Sequence, residues 1–232
     1  MKTLFKLVWW DLKIQARNGI LTVAIIIAVI YTGLFLLFGL KNNDKALIAI
    51  LFSDPIFMGY IFTGVLVLLE KNENTLQALV VTPVKIWQYL FSKAISLTVI
   101  ALIICFAMVF SSHGFQFNYF LFIIAVFLSS VLFIFLGFLG VTRVKTFNQY
   151  ILVIPFFFLP LVLPFLNFFG ITHSFWLYLI PTQASLILFQ SAFVPMPFSE
   201  LIYAVVYLLI SVGITYYLSH KLFMKHVIRG EK

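Results

Sequence analysis

The sequence predicts an all-α integral membrane protein: six transmembrane helices, an N-terminal amphipathic helix on the membrane surface, and two short re-entrant or interfacial helices before the last span. Three observations predict it. Of 232 residues, 63% are hydrophobic and only 9% are charged, too few charges to cover a water-soluble domain. Uncharged runs longer than about 18 residues recur, and as helices they cross roughly 30 Å of hydrocarbon. The basic residues also sort almost entirely to one side of a six-span path.

Residues 3–17 come first. At about 100° per residue, Leu4, Phe5, Val8, Trp9, Leu12 and Ala16 form an apolar face, with Lys6, Lys13 and Arg17 as a basic stripe beside it. This pattern predicts an interfacial helix on an anionic leaflet, with Lys6, Trp9, Lys13 and Arg17 as its membrane-surface residues. The basic stretch is too long, and the following run too wide, for a cleaved signal peptide. The spans are then 20–40, 46–69, 94–110, 119–141, 149–166 and 201–218, all within one transmembrane domain, 1–232. Between Thr146 and Ser199 there is no Asp, Glu, Lys or Arg. Pro181, Pro195 and Pro197 cut the later part of that stretch into pieces too short to cross, so residues 171–194 are expected to form the re-entrant helices.

With the N-terminus in the cytoplasm, thirteen basic residues lie inside and two, Lys41 and Lys45, outside. A seventh span would move the basic tail out, so both termini are expected in the cytoplasm. The net charge of +8 therefore reads as topology rather than as a nucleic-acid surface.

Residues 70–83, EKNENTLQALVVTP, interrupt the apolar pattern on the inner side. Glu70 and Lys71 end the second span. Leu76, Leu79 and Val80 share one face of a short helix. Thr82 and Pro83 read as the cap and first position of the next helix. An apolar patch facing the cytosol either folds back on its own protein or docks on a partner.

The stretch SDPIFMGYIFTGVLVLLEKNENTLQALVVTPVKIWQYLFSKAISL, residues 53–97, resembles the membrane subunit of ABC-2 type exporters, especially small bacterial fluoroquinolone-export-type permeases. Asp54-Pro55, Gly59, Glu70-Lys71, Thr75, Ala78-Leu79, Thr82-Pro83, Tyr89-Leu90 and Lys93 carry the resemblance. It implies a bacterial cytoplasmic membrane protein that works with a separate ABC ATPase subunit and a second copy or paralogue of the permease. It implies that Glu70, Lys71, Glu73, Thr75, Leu76, Leu79, Val80, Thr82 and Pro83 belong to the coupling loop that meets the ATPase. ATP and magnesium would sit on that partner, leaving this chain without a cofactor. The expected cargo is a hydrophobic or amphiphilic small molecule or a lipid, exported by ATP-driven alternating access.

No G-x-x-x-x-G-K-[ST] loop occurs, so the chain is expected not to hydrolyse ATP itself. His113, His173, His220 and His226 have no metal-ligand spacing, and no catalytic residue or metal ligand is expected. Asp54 has two readings. It caps a helix that Pro55 begins, or it stands on the substrate path, meeting a cationic substrate or relaying a proton. An intramembrane enzyme would need polar catalytic groups at membrane depth, where the spans are nearly bare. A stand-alone ion-coupled transporter would need buried ionisable groups and internal repeats. Both are the alternatives to the exporter.

Overall fold

The structure, a computed structural model, describes residues 2–37, 44–73, 75–76 and 84–228. It is helical: α1 (Lys2–Arg17), α2 (Ile20–Leu37), α3 (Asp44–Ile56), a π-helical turn (Phe57–Ile61), α4 (Phe62–Asn72), α5 (Ile86–Ser112), α6 (Tyr119–Val141), α7 (Phe147–Val162), α8 (Pro164–Phe168), a 3₁₀ turn (Phe175–Leu179), α9 (Pro181–Ser191), α10 (Phe198–Phe223) and a closing π turn (Met224–Ile228). Six helical stretches among the described residues are long and apolar enough to cross a membrane: Ile20–Leu37, Asp44–Asn72, Ile86–Ser112, Tyr119–Val141, Phe147–Phe168 and Phe198–His226.

The centre of the bundle is α5 and α6, packed against each other and against the α3–α4 rod. Aromatic edges fill it: Phe52 meets Phe133, Phe165 and Phe189 with ring centroids 5.5–6.0 Å apart, the edge-to-face geometry that ring quadrupoles favour. Helices α2, α7 and α10 form the outside. Val29, Leu152, Phe156 and Leu209 project from them, each more than half exposed, as a lipid-facing surface requires.

Two sequence expectations are corrected here. Asp54-Pro55 does not start a helix, because Asp44–Asn72 runs through it as one rod. Pro55 has no N–H to give the carbonyl four residues back. That acceptor, Leu51 O, instead faces the Cys105 thiol at 3.9 Å, and the π turn follows directly. The side chain of Asp54 lies outside the described residues. The helix after the second loop begins at Ile86 rather than Pro83: Lys85 is extended, and its N–H donates to Gln88 Oε1 at 3.0 Å. Thr82 and Pro83 lie outside the described residues.

The π turn is where α6 comes closest. A Cβ on Gly137 would stand 2.6 Å from the carbonyl oxygen of Tyr60, which already accepts the Tyr150 hydroxyl at 2.6 Å. A Cβ on Gly64 would strike the Tyr150 ring at 2.1 Å. Small residues let membrane helices approach to backbone contact.

At the far end, Asn118 caps α6 by accepting from Phe120 and Leu121 N–H. Its own N–H bonds Ala192 O at 2.8 Å, which ties α6 to the end of α9. Nearly all of α9 is buried, and Tyr203 and Tyr207 of α10 donate to the carbonyls of Tyr178 and Leu179 in the preceding turn.

Gly137→Ala is expected to cost about 1–3 kcal/mol, because backbone rather than a movable side chain blocks the added methyl. Gly213→Ala, with nothing within 4 Å of its added Cβ, is the control and should be neutral or mildly stabilising. Thermal melts of the two purified variants measure the contrast.

Candidate functional site

A buried charge cluster lies where α1 crosses the ends of α4 and α5, at the loop between the second and third spans. Lys93 of α5 is only 2% exposed. Its ammonium donates to Asp11 Oδ1 of α1 and to Glu70 Oε1 of α4. One turn earlier on the same face, the Tyr89 hydroxyl donates to Glu70 Oε2 at 2.6 Å, and its ring lies 5.3 Å below the ammonium. One turn along α1 from Asp11, Gln15 Nε2 donates to Ser96 Oγ at 2.7 Å. Asp11 and Gln15 thus form a polar stripe at i and i+4 that meets the matching stripe of α5.

The α1 helix therefore packs with Asp11 and Gln15 inward beside the partly buried Leu12 and Ile14. Asp11 and Gln15 are buried, while Phe5, Trp9 and Trp10 are 58–76% exposed. Lys13 and Arg17 are exposed, with Lys13 Nζ 5.2 Å over the Trp10 ring; Lys6 is exposed as well.

The loop residues divide. Glu70 is held internally by Lys93 and Tyr89. Lys71 donates to Val144 O at 3.1 Å, which ties the end of α4 to the loop after α6. Thr75 Oγ1 donates to Glu70 O at 2.8 Å. Leu76 is buried in its own protein at 5% exposure, while Glu73 is exposed. Leu79 and Val80 lie outside the described residues.

The sequence reading missed Asp11, Gln15 and Ser96, and it named Lys93 only among the residues that carry the family resemblance. A usable signal was present, since Asp11 is the one acid among residues 2–17 and Glu70 and Lys93 each adjoin apolar runs.

Two carboxylates share one ammonium. Burial pushes the Asp11 carboxyl above its ordinary range, with the Lys93 charge pulling it partly back. The neighbouring Ser92 hydroxyl stands between the Asp11 carboxylate and the Tyr89 carbonyl, 2.9 Å from the latter, and supplies one proton between the two acceptors. Beside the cluster is a pocket of about 300 Å³ reached by Leu7, Trp10, Asp11, Arg17, Leu66 and Glu73. Among the described residues, no group of three His, Cys, Asp or Glu could hold a metal ion.

Six helical spans, with buried charge gathered at one end of the bundle, define a multi-pass membrane protein. The chain belongs to the fluoroquinolones export permease protein family, whose sequence model matches residues 2–231. It is an ABC-2 type permease resembling fluoroquinolone exporters. Proteins from two strains of Mycobacterium tuberculosis, each described as a fluoroquinolones export permease protein, are 27% identical to it over 128 residues. That alignment covers 55% of this chain and 54% of each relative, so the chain spans about half the length of the curated relatives it matches.

Lys93→Met leaves two buried carboxylates unpaired and is expected to cost about 3–5 kcal/mol, with most of the loss recovered when Asp11→Asn and Glu70→Gln are added. Chemical denaturation of the purified variants tests this. The raised Asp11 pKa means that the folded state holds that proton more tightly than the unfolded chain does. Its contribution is present below the unfolded value and is lost as pH rises through the folded one. Wild type should therefore lose stability relative to Asp11→Asn as pH rises from about 4 through the raised folded value, read as a difference in Tm.

Proposed function

We propose that this chain is the membrane half of an ABC exporter, moving a hydrophobic or amphiphilic substrate out of a bacterial cytoplasm by alternating access. ATP and magnesium bind a separate ATPase, and a second copy or paralogue of the permease completes the path. Fluoroquinolones are the first cargo to test, since the relatives bear that name. The observation that carries this reading is family membership over nearly the whole chain, joined to a charge cluster that binds both ends of the loop between the second and third spans.

In this reading the α1 end of the bundle is cytoplasmic. Lys71, Lys85, Arg143, Lys145, Lys221 and Lys225 belong to that end, against Lys45 at the other. The coupling loop, residues 70–83, meets the ATPase through Glu73, Leu79 and Val80. Leu76 anchors the loop to its own bundle. Outward Phe5, Trp9 and Trp10 set α1 into the inner leaflet as an interfacial helix, with Lys6, Lys13 and Arg17 toward lipid headgroups. The turn at 175–179 and α9 form the re-entrant pair near the exit.

Force applied to the loop reaches α4 and α5 directly and α1 through Lys93. An intramembrane enzyme is disfavoured because the cluster lies at helix ends, away from membrane depth.

Copurification with an ABC ATPase from the same organism tests the proposal. Leu79→Glu is expected to insert normally, yet lose ATPase association and export. An intact complex with that variant would overturn the coupling assignment, and export by the permease without any ATPase would overturn the exporter itself.

A further inference from the structure

We propose that the corner where the end of α4 meets the loop between α6 and α7 is a binding site for an anionic phospholipid. Lys71, Arg143 and Lys145 receive its phosphate, and the outer face of α7 receives an acyl chain. The ligand is a component of the membrane rather than cargo. The proposal takes from the exporter reading only that this end faces the cytoplasm, where the leaflet surface is anionic.

Three cations are fixed together here. The Lys71 ammonium donates to Val144 O at 3.1 Å, and Arg143 and Lys145 flank that residue in the chain. Lys71 is partly buried and feels the Lys145 charge, while Arg143 and Lys145 are exposed. The loop that carries them is anchored. Thr142 and Val144 are buried, and the Thr142 hydroxyl donates to Leu139 O at 2.9 Å. Like charges held in this way cannot drift apart as they do on a flexible surface, so they repel until an anion meets them. The adjacent carboxylate, Glu70, is taken by Lys93 and Tyr89. Among the described residues, Lys71, Arg143 and Lys145 make no ion pair.

The surroundings select a lipid. Helix α7 starts at Phe147, just after Lys145. It presents Phe147, Ile151, Leu152, Phe156 and Leu159, each 47–79% exposed, to the hydrocarbon. Tyr150 is buried between them, stacked on Tyr60 and filling the space beside Gly64, so α7 is held with this apolar face outward. Cations at the head of a broad apolar face match a ligand that is anionic at one end and hydrocarbon at the other. An acidic protein surface or a free phosphate satisfies the charges but makes no use of that face. A lipid seated here bridges α4, which enters the loop at 70–83, to the fifth span.

The test uses the isolated full-length permease in phosphatidylcholine nanodiscs that contain a minor fraction of phosphatidylglycerol. Native mass spectrometry counts the lipid that the protein retains, and Tm is followed as the phosphatidylglycerol fraction rises. The protein is expected to retain phosphatidylglycerol in preference to phosphatidylcholine and to melt higher in its presence. Lys71→Gln and Lys145→Gln should each reduce the preference about fivefold, the loss of one basic contact at a membrane surface. Gln at 71 keeps an N–H for Val144 O, and position 145 is exposed, so both variants should fold. Lys85→Gln removes the same charge from an exposed position at the start of α5 and should leave the preference unchanged.

Equal retention of the two lipids would overturn the site. So would an equal loss in Lys85→Gln, which marks diffuse surface charge rather than a defined corner. Inorganic phosphate that raises Tm and displaces phosphatidylglycerol at constant ionic strength would overturn the lipid in favour of a free anion. Retention unchanged by Lys71→Gln and Lys145→Gln would overturn it as well, and loss of ATPase association in the same variants would then assign the corner to an acidic partner surface. Nanodiscs carry the lipid in both leaflets and no ATPase is present, so the result does not depend on the exporter reading. Selective retention with no export counts against that reading alone, and export without selective retention counts against this site alone.

Discussion

One ammonium group shared by two carboxylates holds the loop-bearing end of this protein together. Lys93 reaches across 82 residues of sequence to Asp11 and 23 to Glu70, joining three elements that otherwise meet mainly through apolar contact. Between helices in a bilayer, apolar packing has little directional preference, because lipid tails are as apolar as leucine. A buried ion pair does have direction. It is satisfied in one register of α1 against α5, and the Gln15–Ser96 bond one turn along repeats that register. The cluster is thus better understood as a specifier of geometry than as a source of net stability, since desolvation offsets much of the Coulomb attraction.

The surrounding solvent explains the remainder of the architecture. Lipid offers no hydrogen bonds, so each interruption of a helix must find a partner inside the protein. Pro55 frees Leu51 O, which faces Cys105. The π turn leaves Tyr60 O to the Tyr150 hydroxyl, and the carbonyls of Tyr178 and Leu179 are taken by tyrosines of α10. Polar groups at these depths act as repairs to broken backbone ladders. By contrast, the buried Asp11–Lys93–Glu70 cluster sits at the α1 end, where the chain leaves the bundle.

Most of the fold was legible because its cause is one-dimensional. A run of apolar residues long enough to cross a bilayer is visible in composition alone, and the family likeness of residues 53–97 needed only local order. What escaped depends on neighbours distant in sequence. Asp11 drew no reading of its own on a basic helix, and only the packing of α1 on α5 turns it inward. Lys93 entered the reading as a residue of the family likeness, yet its role depends on two acids that no local pattern connects to it. Asp54-Pro55 looked like a helix start because capping rules are calibrated to water, where a broken helix can be solvated. In lipid, continuing the helix and lending one carbonyl to a thiol is cheaper than ending it.

The position of the cluster has a mechanical consequence. Glu70 and Lys93 stand on either side of the same loop, so the two strands of chain that enter and leave it are tied before they reach the bundle. A load on the loop therefore cannot spread its two ends without first separating a buried ion pair, which is strongly unfavourable when one partner is left uncompensated. Because Asp11 is tied to the same ammonium, α1 moves with that unit. The softest place downstream is the π turn at 57–61, where the helical ladder is already irregular and where Gly137 and Gly64 leave no room for sideways adjustment. A stiff clamp at the loop and an irregular turn within the span would direct motion along the α3–α4 rod rather than dissipate it at the surface.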